Sequence, residues 1–345
     1  MNTLTERQEK LLNDKPSTLF FKLSVPGVIG MLVFGFYQFI DGIFVGQFVG
    51  PAGVGAVGLM YPLSLLNNGI SGLIGTGASS LISQGIGKGD KKILKNIFPA
   101  VFIMNLVICA LVTILSIIFA PKLVSFMGGE GEMLELGITY MRIVVAGTFF
   151  INLAASANMM IRSEGLLKQA MYILGVGAIL NLILDPLLMV VFKMGIGGAA
   201  AATVISQIIS MALALYFIFS KKSLIQANFN FKNVSFKLIK EMSKIGFSAM
   251  ALPFMAIIEI VTAFKMLDLY AGISDVIALS TIFKVFSLLL PPIWGIAQGM
   301  QPFVGINYGA GKIKRMMKGY GTFTGYATIF TLIFWSMIIF TPRFV

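Results

Sequence analysis

The sequence predicts an all-α polytopic membrane protein built as two pseudo-symmetric helical lobes, six helices in the first and a partial set of three in the second. Three observations carry this. Of 345 residues 57% are hydrophobic and 12% charged, and apolar runs of 18 or more residues recur along the chain, each long enough to cross a bilayer as a helix. The short alternating strands of a membrane barrel do not appear. Lysines and arginines gather in the short loops between the apolar runs, which is how a multi-span protein records its orientation.

Nine helices can be drawn, at 18–45, 54–84, 94–120, 134–161, 167–192, 196–219, 237–267, 275–307 and 316–340. Several exceed the ~20 residues a span needs, so tilt or bending is expected. Pro26 lies early in the first helix and should bend it, because proline removes one ladder hydrogen bond and crowds the preceding turn. The loops decide orientation. Arg7, Lys10 and Lys15 fall on one side with Lys88, Lys91, Lys92 and Lys95, then Arg162 and Lys168, the lysines of 221–244, and Lys312, Lys314, Arg315 and Lys318. The other side offers Lys122, Lys193 and Arg343 beside Glu130, Glu132 and Glu135. The N-terminus is therefore expected in the cytoplasm, and an odd helix count puts the C-terminus outside.

The net charge of +12 sits in these loops, so its partner is anionic lipid rather than nucleic acid. Cys109 is the single cysteine, inside an apolar run, and there is no histidine, which leaves no disulfide framework and no thiol metal site. The polar, mixed-charge stretch Met1 to Lys15 is not a cleaved signal peptide.

A shift of 222 residues lays Gly50 on Gly272, Ala56 on Ala278, Ile74 on Ile296, Gly77 on Gly299, Gly87 on Gly309, Gly89 on Gly311 and Lys92 on Lys314. Six helices separate the copies, so both cross the membrane in the same sense: a parallel repeat about an axis along the membrane normal. This divides the chain into a six-helix lobe at 1–220, a cytoplasmic linker at 221–244 and a partial lobe at 245–345.

The polar residues inside the apolar runs are few. Asn181 and Asp185 are four apart in the fifth helix and share one of its faces. Asp41 lies toward the outer end of the first, at the same depth. A carboxylate at membrane depth costs about 2.5–3.5 kcal/mol even on mild scales and is a functional candidate by default. Desolvation and mutual repulsion disfavour two ionised carboxylates in one dry cleft, and a cation or proton relieves both. The pair therefore marks a candidate coupling-ion site, with the alternative that the acids only tie helices together. Thr203, Tyr140 and Asn158 are further oxygen or amide donors, each also explicable as an interhelical hydrogen bond. Glu259 is read either as a substrate contact or proton relay, or as one half of a structural pair with Lys265. The Gly72–Gly77 run has no Lys-Ser/Thr after it and is no phosphate loop.

Taken together, these residues resemble the multidrug and toxic compound extrusion (MATE) family. The likeness rests on Pro26, Asp41-Gly-Ile-Phe-Val-Gly46, Gln84-Gly-Ile-Gly-Lys-Gly-Asp90 with its echo Asn307-Tyr-Gly-Ala-Gly-Lys312, Met160-Ile-Arg162-Ser-Glu-Gly165, and Asn181-Leu-Ile-Leu-Asp185-Pro186. It implies two lobes in a V, alternating access, and export of amphipathic cations driven by inward Na+ or H+, with no further cofactor. By the same likeness Asp41, Asn181, Asp185 and Thr203 form the cation site, with Tyr140 and Asn158 beside it. The expected partners are small amphipathic molecules and the lipid bilayer, with no nucleic acid, for a monomer in the plasma membrane, here a bacterial inner membrane. Family members carry twelve helices, so the nine here are expected to be a truncated set that does not transport alone. A lipid-linked precursor flippase of the same broader fold and a non-transporting fragment are the alternatives; neither aspartate has the sequence context of an intramembrane aspartyl protease. Reporter fusions at Lys88 and Lys232 are predicted to read the same, cytoplasmic, side; opposite readings would overturn the helix count.

Overall fold

The computed structural model describes residues 3–270 and 273–340, and every regular element among them is helical. A short α1 (Thr3–Asn13) precedes the long α2 (Pro16–Phe48). The chain continues through α3 (Pro51–Leu59), α4 (Tyr61–Ser71), a wide π turn at Gly72–Thr76 and α5 (Gly77–Lys88). Then come α6 (Lys91–Phe126), α7 (Gly131–Ala146), α8 (Thr148–Ser163) and α9 (Leu167–Pro186), which ends in a second π turn at Leu187–Val191. After α10 (Ile196–Ile218) a linker leads to α11 (Phe236–Tyr270), α12 (Ile273–Gly309) and α13 (Ile313–Phe340). Among the described residues α2, α6, Leu167–Val191 and α10 are each long and apolar enough to cross a membrane, and α7 with α8 make a fifth span bent by 52°. Large apolar side chains such as Phe36, Phe39, Leu111, Ile118, Ile179 and Ile183 stand exposed, as lipid-facing surface requires.

Three features depart from the helices drawn on the sequence. The second is broken at Met60, because Pro62 in the first turn of α4 has no N–H for the Gly58 carbonyl. The fourth is broken at Gly147, where the side chain of Val204 from α10 occupies the space a Cβ would need. The polar N-terminal stretch, read as no element, is the helix α1. By contrast α2 runs through Pro26 as continuous helix.

α1 is tied down from its middle to its C-terminal end. Gln8 Nε2 donates to the Ile86 carbonyl at 2.6 Å, and Leu11 is buried against Gly165. Its last carbonyls, which a helix C-terminus leaves without partners, receive cations and an amide. Lys312 Nζ donates to Leu12 O and Asn13 Oδ1, each at 3.1 Å, Asn307 Nδ2 donates to Leu11 O at 3.4 Å, and Arg315 reaches Leu11 O and Asp14 O. The helix thus clasps α5 of the first repeat copy to α12 and α13 of the second.

The 222-residue repeat is visible in the contacts. Gln301 donates to Ser79, its own repeat equivalent, and Gly305 packs on Ser83, its equivalent again. A Cβ on Gly87 would stand 2.1 Å from Ile306 O, and one on Gly309 2.2 Å from Gln84 O; these two contacts exchange under the shift. Reciprocal contacts of this kind are what a two-fold relation between copies produces. α2 of the first copy packs most extensively on α12 of the second, while α11 packs on the 61–88 segment of the first. Glycine is needed because backbone meets backbone there.

Two apolar clusters make the core, and α10 shows their order. Ala199 and Ala200 belong to one, Ala214 and Ile218 to the other, and Thr203, Ser206, Gln207 and Ser210 between them face a cavity. Gly87→Ala should lower the thermal unfolding midpoint in detergent, by a loss of about 1–3 kcal/mol from overpacking. Gly58→Ala, where a Cβ meets nothing within 4 Å, should leave the midpoint unchanged or higher. Equal midpoints for the two variants would contradict the interlobe close approach.

Candidate functional site

The cavity between the two clusters measures about 260 Å3 and lies inside the first repeat copy. Helical spacing builds its wall. On α2, Phe34, Tyr37 and Gln38 face it; on α4, Ser64, Asn67, Asn68 and Ser71; on α10, Thr203, Ser206, Gln207 and Ser210, each set three or four residues apart. Tyr140, Asn158 and Asn181 enter from α7, α8 and α9. The lining is apolar and aromatic with convergent amides and hydroxyls, the usual make-up of a small-molecule site.

Asp41 and Asp185 stand one helical turn beyond the cavity-lining Tyr37 and Asn181, behind the cavity wall rather than in it. The two carboxylates lie close enough to act on each other electrostatically. Asp185 is fully buried and accepts from Asn181 Nδ2 at 3.5 Å, at the long limit of such a bond. One oxygen of each carboxylate, Asp41 Oδ1 and Asp185 Oδ2, is buried with no hydrogen-bond partner. Tyr140 and Thr203 line the same cavity, and Tyr37 and Tyr140 both lie within electrostatic range of the two acids. Two orphaned carboxylate oxygens beside further oxygen donors suit a proton or a hard cation, which takes oxygen ligands. Buried charge without such compensation is strongly destabilising.

The structure therefore brings Asp41, Asn181, Asp185, Tyr140 and Thr203 together. Asn158 lines the cavity, but its amide is committed to the Ala170 carbonyl at 2.9 Å. Pro26 lies elsewhere, in a small recess with Gly27, Gly30, Arg162 and Gln298, where Arg162 donates to Gln298 from across the two copies. Glu259 is exposed on α11 and takes no part in the cavity; the side chain of Lys265 lies outside the described residues.

Sequence reasoning missed the support behind the cavity. Asn152 is fully buried, accepts from Ser71 Oγ at 2.6 Å and donates from Nδ2 to Asn67 Oδ1 and Thr148 O, both at 2.9 Å. It fixes α4 to α8 directly after the Gly147 break. Tyr37 was also missed, though its place four residues before Asp41 puts both on one helix face, and the 67/71 and 203/207 spacings carried the same signal.

Comparison with known proteins finds relatives that match most of the chain. A family model described as MatE matches residues 26–187, a stretch holding Asp41, Tyr140, Asn158, Asn181 and Asp185. A FAD transporter of Shewanella oneidensis is 26% identical over 314 residues, covering 88% of this chain and 68% of that protein. The multidrug export protein MepA of Staphylococcus aureus is 26% identical over 325 residues, covering 90% and 70%. Among solved structures, an outward-facing multidrug resistance MATE transporter superposes with a TM-score of 0.90 at 27% identity, over 97% of this chain and 74% of that one. A MATE protein in a bent conformation gives 0.90 over 98% and 75%. Relatives of this kind are transporters that work without an organic cofactor, and the exposed apolar helices make this a multi-pass membrane protein. In sequence and in fold the chain is similar to membrane transporters of the MATE family.

Proposed function

We propose that the protein exports amphipathic, often cationic drugs or toxins by antiport with Na+ or H+ through alternating access. The observation that carries this is the pair of buried, unpartnered carboxylate oxygens behind the wall of a polar, aromatic-lined cavity. Such a pair is poorly stable with both acids charged, so inward-moving Na+ or H+ has a place to bind. A cationic substrate competes for the same negative charge and can use the Phe34 and Tyr37 faces. Competition for one charge makes an exchanger: each ligand favours leaving when the other arrives.

In this reading Asp41, Asn181, Asp185 and Thr203 hold the coupling ion, while Tyr140 and Asn158 contact substrate or pass a proton. Pro26 is the point at which α2 bends. Glu259, exposed and away from the cavity, is proposed as at most a contact of the second copy. The first lobe at 1–220, the linker at 221–244 and the helices beyond 245 move as two bodies about the glycine contacts between α5 and α12. In this reading the N-terminus is cytoplasmic, which the loop charge supports, and the protein acts as a monomer in a bacterial plasma membrane. Carrying an anionic nucleotide, as the name of the Shewanella relative states for that protein, would set like charge against Asp41 and Asp185. The acidic, amide-lined cavity likewise disfavours a flippase of lipid-linked precursors, which would need a cationic one.

Asp41→Asn and Asp185→Asn are each expected to reduce energised dye efflux to the level of cells lacking the protein, with membrane insertion intact. The double variant should be no worse than either single one, because groups holding one ion act as a unit. Gradient-driven efflux retained by the double variant would sink the assignment.

A further inference from the structure

A second cavity, of about 340 Å3, opens between α1, the first turns of α2 and the turn joining α8 to α9. It belongs to neither the carboxylate pair nor the interlobe contact. Its inner wall is apolar: Leu11, Leu19, Leu23 and Leu166 are all buried. Its rim carries Lys10, Lys22 and Lys168 with Glu6. Lys10 is bonded to Glu6 at 2.6 Å, which accounts for one charge of each sign. Lys22 and Lys168 are exposed, and among the described residues no carboxylate pairs with either. The cavity therefore holds two uncompensated ammonium groups over a leucine wall.

The placement is specific. Leu19, Lys22 and Leu23 share one face of α2, and Lys22 and Lys168 each stand just ahead of the long apolar run of their own helix. Both ammonium groups thus mark the level at which α2 and α9 pass into the hydrocarbon. α1 closes the third side as a fixed wall, since Gln8, Lys312 and Arg315 hold it. Lysine is a compact point charge suited to phosphate, and basic pockets between helices at the membrane surface take lipid headgroups.

We propose that this cavity binds the phosphate of an anionic phospholipid, with Lys22 and Lys168 on the phosphate and an acyl chain along the Leu19–Leu23 face of α2. The shared chemistry is a phosphate anion. The leucine wall selects the lipid source over a soluble one, because a free anion gains nothing from it. The inference rests on the membrane placement of α2 and α9 and not on the transport reading.

The test is the unfolding temperature of the detergent-purified full chain, titrated with phosphatidylglycerol, phosphatidylcholine or inorganic phosphate. Phosphatidylglycerol should raise it saturably, and Lys22→Gln/Lys168→Gln should need roughly 25-fold more lipid for half the effect, about fivefold per lysine. Lys91→Gln/Lys95→Gln, which removes the same charge from α6, should behave as the unaltered protein. Should the first double variant fail to fold, the two single variants carry the same expectation of about fivefold each. An equal response to phosphatidylcholine, an equal response to inorganic phosphate, or no change in the Lys22/Lys168 variants would overturn the site. Dye efflux that is lost in the aspartate variants while the lipid response is kept would separate the two readings.

Discussion

A membrane interior gives an ionised carboxylate almost nothing to interact with, and this chain places two of them side by side. Asp185 is sealed from solvent, Asp41 neighbours it, and each leaves one oxygen without a partner. Among the described residues the one direct donor to Asp185 is the Asn181 amide, at a length where the bond is weak. The first repeat copy is arranged around meeting this cost. Apolar clusters close the cavity above and below, Asn152 ties α4 to α8, and Tyr140 sits within reach of the acids. In the proposed mechanism a mobile cation or proton supplies the missing compensation, so relief of the unpartnered oxygens is what makes ion binding favourable.

The second constraint lies between the copies. Helices in lipid gain little from burying apolar surface against one another, so they associate through close packing of small residues. Gly87 and Gly309 bring α5 and α12 into backbone contact, Gly27 meets Gly295, and Gly246 meets Leu73. Interfaces of this type carry few specific side-chain bonds, here Gln301 to Ser79 and Arg162 to Gln298, and smooth contacts suit two bodies that must shift against each other. α1 adds a bond set of another kind across the same junction. Any movement that parts the end of α5 from the α12–α13 turn must release those bonds or carry α1 along.

Much of this was legible in the sequence. Hydropathy located the helices to within a few residues, because most apolar runs end in charged loop residues. Asp41 and Asp185 stood out because acids within such runs are rare, and the repeat was readable because glycines at a backbone contact tolerate no substitute. What stayed hidden depends on tertiary contact. The break at Gly147 is set by Val204 from another helix, which no local pattern records. α1 is too short and polar to be stable alone and owes its helix to Asn307, Lys312 and Arg315, some 300 residues away. Asn152 reads as an ordinary polar residue until Ser71 and Asn67 are placed against it. Glu259 drew attention through its sequence depth alone, and depth does not say which side of a helix faces the protein.

The account turns on the carboxylate pair sharing a proton or a cation. Infrared difference spectroscopy of the purified protein, with aspartate carbon-13 labelled, observes this directly by following the protonated carboxyl band as Na+ or alkali is added. The account predicts a labelled band in the ion-free protein that is lost on Na+ addition or on raising pH, and that is absent from Asp185→Asn. An ion-free protein with no such band, or a band that persists unchanged in Asp185→Asn, would contradict it.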